Sequence, residues 1–417
     1  MTLNNPLENE EVQTISLREL VKDIPSTNYA THGVYYYPAK FIPHVVRFAI
    51  SEYTKKGDLI FDPFAGSGTA AVEAAILGRK SLLWDIDPIL EYLIKVKLLK
   101  VKKEDWEDLK DNIKSMLSYN EESFVPNWKN KLHWYDKPIL ERLERLWGYI
   151  HYALTNDYRL KPIIIFALLK ASRKFSYGDD RVPKLFKSKM KTKCIGKLLK
   201  GDWESYLYDF LFARAKDIFN RCLKFTRLVG EKEIFCKVEI GDALKMKAPQ
   251  DITLIVTSPP YFQAQEYIRS TKLELYWLGY TDKQIREFSK AEIPYNNPPN
   301  IEIRSPSFNL FRECIKLKRR DLLWIYDNWF YSVIKVLEKS FNALKENGHM
   351  VTFIGPSTIA GMPVPIYKVI KEHFEERGAV HIKTIKDEIQ TRRLFGNRLN
   401  PSPEGIPAEY LTILRKS

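Results

Sequence analysis

Cysteine is scarce in this chain, and what there is of it is scattered. Cys194, Cys222, Cys236 and Cys314 are the only 4 in 417 residues; no two form a Cys-x-x-Cys pair, and none follows a proline. That spacing argues against a zinc site or a disulfide framework, and nothing points to a covalent thiol mechanism. No metal site is expected. No apolar run approaches the roughly 18 residues that a membrane-spanning helix needs. The polar residues 1–9 carry no signal-peptide pattern. A Gly-x-x-x-x-Gly-Lys-Ser/Thr loop for a triphosphate is also missing. Acids are in deficit, 52 Asp plus Glu against 66 Lys plus Arg, for a net charge of +14. Such a field favours a polyanion, and with no membrane segment the expected partner is nucleic acid in the cytoplasm.

What is present is ordinary for a folded protein: hydrophobic residues make up 45% of the chain, enough for a sizeable core. From Asp58 a short apolar strand (59–61) runs into a glycine-bearing turn, Phe61-Asp62-Pro63-Phe64-Ala65-Gly66-Ser67-Gly68-Thr69. Residues 69–77 are alanine-rich and predict a helix stopped by Gly78. A second strand (81–84) ends at Asp85, and Asp87-Pro88 opens a helical stretch over 89–100. This strand–turn–helix–strand–acid order predicts an α/β fold with a doubly wound, Rossmann-like sheet.

Strands resume at 237–240, which lead into Gly241-Asp242, and at 252–256, which lead into Thr257-Ser258-Pro259-Pro260-Tyr261. Between the halves, residues 101–236 show helical spacing and little strand pattern, too long a stretch for a loop. They read as an inserted helical subdomain. Residues 1–100 and 237–417 then form the catalytic domain. Within it, 262–320 reads as irregular, with a proline-rich part at 293–306, and is the second candidate DNA-contacting segment, a lip over an extruded base. A long helix (322–345), a turn at 347–348 and a strand (349–354) follow. Alternation at 380–385 and 409–414 predicts a closing antiparallel hairpin on a mostly parallel sheet.

Gly66 and Gly68 permit positive φ and clear space for a ligand lying against backbone. N–H groups of the turn suit a carboxylate or the polar edge of a nucleoside. Asp85, with Asp87 as the alternative, stands where a ribose diol is expected, and Asp242 lies on the same rim. Alone, Gly-x-Gly marks only a tight turn; with acids at successive strand ends it describes a nucleoside site.

Thr257 to Tyr261 carries different chemistry. The lone pair of a nucleobase exocyclic amine is delocalised into the ring, so the amine is a weak nucleophile. Acceptors on its hydrogens, here Ser258 Oγ and the Pro259 carbonyl, favour a more tetrahedral nitrogen. Pro259 and Pro260 stiffen the backbone, and Tyr261 offers a flat face for an extruded base.

These two segments resemble the amino-methyltransferases of DNA, which use S-adenosylmethionine. Residues 61–69 resemble that family's cofactor motif and 257–261 its catalytic motif. The serine form is similar to enzymes that methylate cytosine N4; adenine-N6 enzymes more often carry Asp or Asn at the position of Ser258. The resemblance covers residues 30–100 and 237–417. It implies a cofactor site over Asp62, Pro63, Phe64, Ala65, Gly66, Ser67, Gly68 and Thr69. Asp85 would hold the ribose and Asp242 would lie near the adenine. Tyr37, Pro38 and Lys40, in a Tyr-Pro-Ala-Lys segment, look like the part that packs on the methionine end. The order here, cofactor motif before catalytic motif, departs from many Ser-Pro-Pro-Tyr enzymes.

The function so implied is a site-specific cytosine-N4 methyltransferase of double-stranded DNA, paired with a restriction endonuclease. An adenine-N6 enzyme, an RNA methyltransferase and a non-catalytic nucleic-acid-binding protein are the alternatives. Duplex contacts are expected from the insertion, whose stretch 184–200 has seven lysines and no acid. Arg173, Lys174, Lys187, Lys189, Lys191 and Lys193 are the candidates there. Lys318, Arg319, Arg392 and Arg393 are candidates outside it.

Overall fold

A computed structural model describes residues 12–37, 41–180, 184–247, 249–262, 266–294, 297–388 and 408–417. In chain order the strands are β1 (Val12–Thr14), β2 (Leu59–Asp62), β3 (Lys80–Asp85), β4 (Cys236–Ile240), β5 (Ile252–Thr257) and β6 (Leu344–Ile354). A small ribbon of β7 (Ser357–Ile359) and β8 (Met362–Val364) follows, then β9 (Val380–Glu388) and β10 (Ala408–Arg415). The helices are α1 (Leu17–Leu20), α2 (Pro43–Tyr53), α3 (Thr69–Leu77), α4 (Ile89–Lys97), α5 (Asp105–Ser118), α6 (Lys137–Gly148) and α7 (Lys161–Lys174). After them come α8 (Lys189–Leu198), α9 (Trp203–Val229), α10 (Tyr267–Trp277), α11 (Asp282–Ala291), α12 (Pro306–Lys318), α13 (Leu323–Asn342) and α14 (Ile366–Glu375).

Eight strands form one sheet in the order β1-β9-β10-β6-β5-β2-β3-β4. Neighbours from β4 across to β6 are all parallel, and β10 runs antiparallel to both β6 and β9. The expected doubly wound sheet with an antiparallel C-terminal pair is therefore present. Strand order reverses between β2 and β5, and in open sheets of this kind a crevice forms beyond the strand ends at that switch point. β5 is buried along its whole length, as suits an apolar strand covered on both faces.

Helix α3 starts at Gly68 and stops at Gly78, both left-handed, as its composition predicts. Two sequence expectations need correction. The stretch read as irregular, 262–320, contains α10, α11 and α12. Their apolar residues anchor at tertiary contacts, and α11 carries a Thr281–Gln284 capping box that fixes its start. Strand β6 also begins five residues early, at Leu344, which pairs with Ile252 of β5. Asn347 is accommodated within it at a φ of 59°, so the Asn-Gly pair bends the strand instead of preceding it.

Residues 101–236 fold as helices α5 to α9, with no named strand among the described residues before β4. They do not enclose a separate core. Trp147, Phe166 and Leu211 of the insertion share one apolar cluster with Leu93 of α4 and with Leu273 and Trp277 of α10. Trp128 also stacks on Tyr276 with ring centroids 4.5 Å apart, so the insertion is tied directly to α10. No described helix is long and apolar enough to cross a membrane.

Candidate active site

At the switch point, the C-terminal ends of β2, β3, β4 and β5 bring the glycine turn, Asp85, Asp242 and Ser258 around one cavity. Tyr37, Pro63, Phe64 and Gly66 line it from the first segment, and Pro260 lies beside Ser258. Gly66 has a φ of 51°, and a Cβ there would stand 3.2 Å from the Tyr37 ring. The position therefore requires glycine for two separate reasons. Pro38 and Lys40 lie outside the described residues.

Other members of the turn form the layer behind the wall. Thr69 Oγ1 donates to the Phe41 carbonyl at 3.1 Å and is buried, so it ties the turn to the chain before α2 instead of facing the cavity. Ser67 is buried as well, and its carbonyl accepts from the buried Lys97 ammonium at 2.5 Å. Gly68 has a φ of 74°, and its missing side chain is replaced by Ile94, whose Cδ1 would stand 2.4 Å from a Cβ. Ala65 packs into the core beneath the sheet end. Asp62 is 1% exposed; its Oδ1 accepts from Phe64 N at 3.1 Å and from Thr257 Oγ1 at 2.6 Å. Desolvation pushes its carboxyl up to about 7.

The three acids at the strand ends have different fates. Asp85 lines the cavity while its Oδ2 accepts from Gly66 N at 2.6 Å and its Oδ1 from Asp87 N at 2.9 Å. A carboxylate has about four lone-pair sites, so capacity for a diol remains. Asp242 lines the cavity and accepts from Leu244 N at 2.9 Å. Asp87, the alternative ribose partner, is fully buried and accepts from Thr271 Oγ1 at 2.7 Å and Ile89 N at 3.1 Å. It anchors α10 to the start of α4 and does not reach the cavity.

On the opposite wall, the backbone of Pro259 and Pro260 is held in place. The Pro260 carbonyl accepts from Trp329 Nε1 of α13 at 3.0 Å, and Pro259 is buried. Tyr261 donates its hydroxyl to Glu409 of β10, a carboxylate 2% exposed. Tyr261 and Pro260 thus tie the backbone at the end of β5 to β10 and α13.

Two lining residues with polar side chains were not singled out in the sequence. Tyr267 of α10 faces Tyr37 with ring centroids 6.3 Å apart and planes 18° from parallel. Glu292, just after α11, also lines the cavity; burial pushes its carboxyl up to about 7. Neither belongs to a short motif, and only the packing of α10 and α11 brings them to the rim.

The expected DNA-contacting cations separate by partner. Arg173 lies 3.6 Å from the buried Glu274 and donates to the Ser270 carbonyl at 3.3 Å, which makes it a packing cation, not a free one. Lys191 and Lys174 both pair with Asp180, the latter at 3.6 Å. Arg319 pairs with Asp321 through two contacts, at 2.7 and 2.9 Å. Lys187 sits over the Tyr177 ring, while Lys189, Lys193 and Lys318 are exposed. Arg392 and Arg393 lie outside the described residues. Within the two expected DNA-contacting regions, four cations not named individually, Lys129, Lys283, Arg286 and Lys290, line one surface cleft with Asp282 and Glu287. Among the described residues none of these four cations has an ion-pair partner, and α11, which carries three of them, runs directly into Glu292. The spacing of 283, 286 and 290 on one helical face was the sequence signal for it.

Comparison with known proteins agrees with this arrangement. A family model described as DNA methylase matches residues 6–96. The Type II methyltransferase M.BsoBI of Geobacillus stearothermophilus is 28% identical over 326 residues, 68% of this chain and 59% of that protein. Type II methyltransferase M.MjaII of Methanocaldococcus jannaschii is 31% identical over 169 residues, 38% of this chain and 31% of that protein. The chain therefore spans less than two thirds of the length of these two relatives. Type II methyltransferase M.MvaI of Kocuria varians is 22% identical over 410 residues, 88% of this chain and 86% of its own length. The glycine turn and the Ser258–Pro260 wall thus meet on one cavity at the sheet's switch point, in a chain similar to the DNA methylase family over residues 6–96 and to Type II methyltransferases over much of its length.

Proposed function

We propose that this protein methylates the exocyclic N4 amine of a cytosine swung out of double-stranded DNA. The observation that carries the reading is Ser258, a neutral hydroxyl on the lining of the cavity that Asp85 and Gly66 also line. The lining fits the cofactor in its chemistry. Asp85 offers carboxylate oxygens to a ribose diol and Asp242 an acceptor to an adenine amine, while Gly66 leaves backbone open. Bound there, S-adenosylmethionine supplies an electrophilic methyl group on a sulfonium.

The chain's own residues would do the rest. Ser258 Oγ and the Pro259 carbonyl accept hydrogens of the amine and orient its lone pair, and the amine proton acidifies as the nitrogen becomes cationic. No strong base is needed before attack. Tyr261 presents a ring to the extruded base, and its hydroxyl is held by Glu409. Fixing these groups in advance is where catalytic power arises, because no reorganisation remains for the reacting state.

For the duplex, the cleft of Lys129, Lys283, Arg286 and Lys290 offers cations with no ion-pair partner among the described residues, three of them on the helix that leads into Glu292. The exposed Lys187, Lys189 and Lys193 of the insertion offer a second phosphate track. The helical insertion 101–236 is the candidate for reading the target sequence. The relatives' shared description as Type II methyltransferases supports a role beside a restriction endonuclease. Adenine N6 is the competing acceptor at the same wall.

The test is to incubate the purified chain with unmodified genomic DNA and S-adenosylmethionine, digest to nucleosides and identify the product by mass spectrometry. N4-methylcytosine is expected. N6-methyladenine would move the base assignment and keep the site; no modified nucleoside despite cofactor binding would turn the search to RNA.

A further inference from the structure

Charges on the cofactor cavity run against the rest of the molecule. The chain carries +14 overall, yet the described lining residues include Asp85, Asp242 and Glu292 and no lysine, arginine or histidine. Two of these carboxyls have evident work: Asp85 gathers N–H groups of the glycine turn, and Asp242 caps the turn after β4. Glu292 belongs to neither turn and accepts backbone N–H groups of Tyr267 and Ile268 instead. It is 4% exposed, and its Oε1 accepts from Ile268 N at 3.1 Å at the start of α10.

The backbone bonds orient the carboxyl but do not neutralise it. Burial of an anion without a cation is unfavourable, which is why its proton is held up to about 7. The named neighbours add no positive charge: Tyr37 is a buried phenol and Tyr267 a half-buried one, both with raised pKa values, and Asp85 and Glu266 repel it. A carboxyl so placed gains its counter-charge from whatever enters the cavity. S-adenosylmethionine carries two candidate cations, the sulfonium and the α-ammonium, both on its amino-acid tail.

We propose that Glu292 is the counter-ion for a cationic group on the amino-acid tail of the bound cofactor, and thereby a positioning residue for the methyl group. This rests on the S-adenosylmethionine reading of the cavity. A carboxylate beside the sulfonium favours substrate over product, since S-adenosylhomocysteine lacks that charge. A carboxylate beside the ammonium holds both alike.

The experiment is equilibrium binding of S-adenosylmethionine, S-adenosylhomocysteine and 5′-methylthioadenosine to the full chain and to Glu292→Gln. The glutamine keeps an acceptor for Ile268 N–H, and 5′-methylthioadenosine, which has no charged tail, reports whether the folded nucleoside pocket is intact. The expected result is S-adenosylmethionine binding weakened by about tenfold or more with 5′-methylthioadenosine unchanged. Unchanged S-adenosylhomocysteine then assigns the sulfonium, and equal weakening assigns the ammonium. S-adenosylmethionine bound by Glu292→Gln within about threefold of wild type overturns the proposal and leaves the cofactor reading standing. A wild-type chain that binds none of the three overturns the cofactor reading itself.

Discussion

Asp62 and Thr257 stand 195 positions apart in the chain, yet Thr257 Oγ1 donates to Asp62 Oδ1 at 2.6 Å. One ends β2 and the other ends β5, adjacent strands on either side of the point where strand order reverses. The bond fastens the glycine turn to the serine–proline wall beside their shared cavity. Thr257→Val is expected to lower unfolding free energy by about 1–3 kcal/mol, because it strips a donor from a buried carboxyl. Urea denaturation measures it. In combination with Asp62→Asn the loss should be smaller than the sum of the two, since both act on one interaction. Full additivity would mean that the contact does not couple the motifs.

The same carboxyl sets a pH dependence. Folding raises Asp62 to about 7, above the ordinary carboxylate range, so the folded state holds the proton more tightly. Its contribution is complete below the unfolded value, near pH 4, and is lost as pH rises through about 7. Between about pH 5 and about pH 8 wild type should lose on the order of 2 kcal/mol relative to Asp62→Asn. Denaturant melts of both proteins across that range give the difference. Parallel pH profiles would show that Asp62 is ionised in the folded protein throughout.

Catalysis and cofactor binding should separate at the serine–proline wall. Ser258→Ala removes an amine acceptor and is expected to lower kcat by roughly 100-fold or more, with S-adenosylmethionine affinity unchanged. Tyr261→Ala should also abolish turnover, whereas Tyr261→Phe keeps the ring and loses only the hydroxyl bond to Glu409. Steady-state kinetics alongside cofactor titration distinguishes the three. Full activity in both alanine variants would place the chemistry elsewhere.

DNA binding should depend on the cations that have no ion-pair partner among the described residues. Lys283→Ala, Arg286→Ala and Lys290→Ala together are expected to weaken duplex binding and to reduce the slope of log affinity against log salt by up to about 2.7. Arg173→Ala should instead lower stability, because it leaves Glu274 buried without its cation, and the salt slope should hold. Fluorescence anisotropy at several salt concentrations, with a denaturation curve for each variant, reads both. An unchanged slope in the triple variant would remove α11 from the duplex interface.

How far the residues disclose the protein follows from the range of the forces involved. Gly66, Gly68 and Gly78 declare their turns because positive φ is a local demand of the backbone, and α3 lies where its alanines and flanking glycines put it. Continuous apolar runs announce β2, β3 and β5, and Thr257 to Tyr261 is legible because its residue types are adjacent. Fold class and reaction class follow from those short-range signals. Other properties depend on which distant segments meet. Asp85 lines the cavity and Asp87 does not, because Thr271 of α10 takes the latter. Arg173, Lys174 and Lys191 look free in a basic stretch until Glu274 and Asp180 pack against them. Glu292 reaches the cavity only because α10 and α11 bring it to the rim. The sequence by itself determined the turns, the sheet and the kind of chemistry, since backbone conformation and apolar periodicity act over a few residues. Tertiary structure alone decided which charges are paired, buried or free, since electrostatics and desolvation depend on neighbours that sequence distance does not reveal.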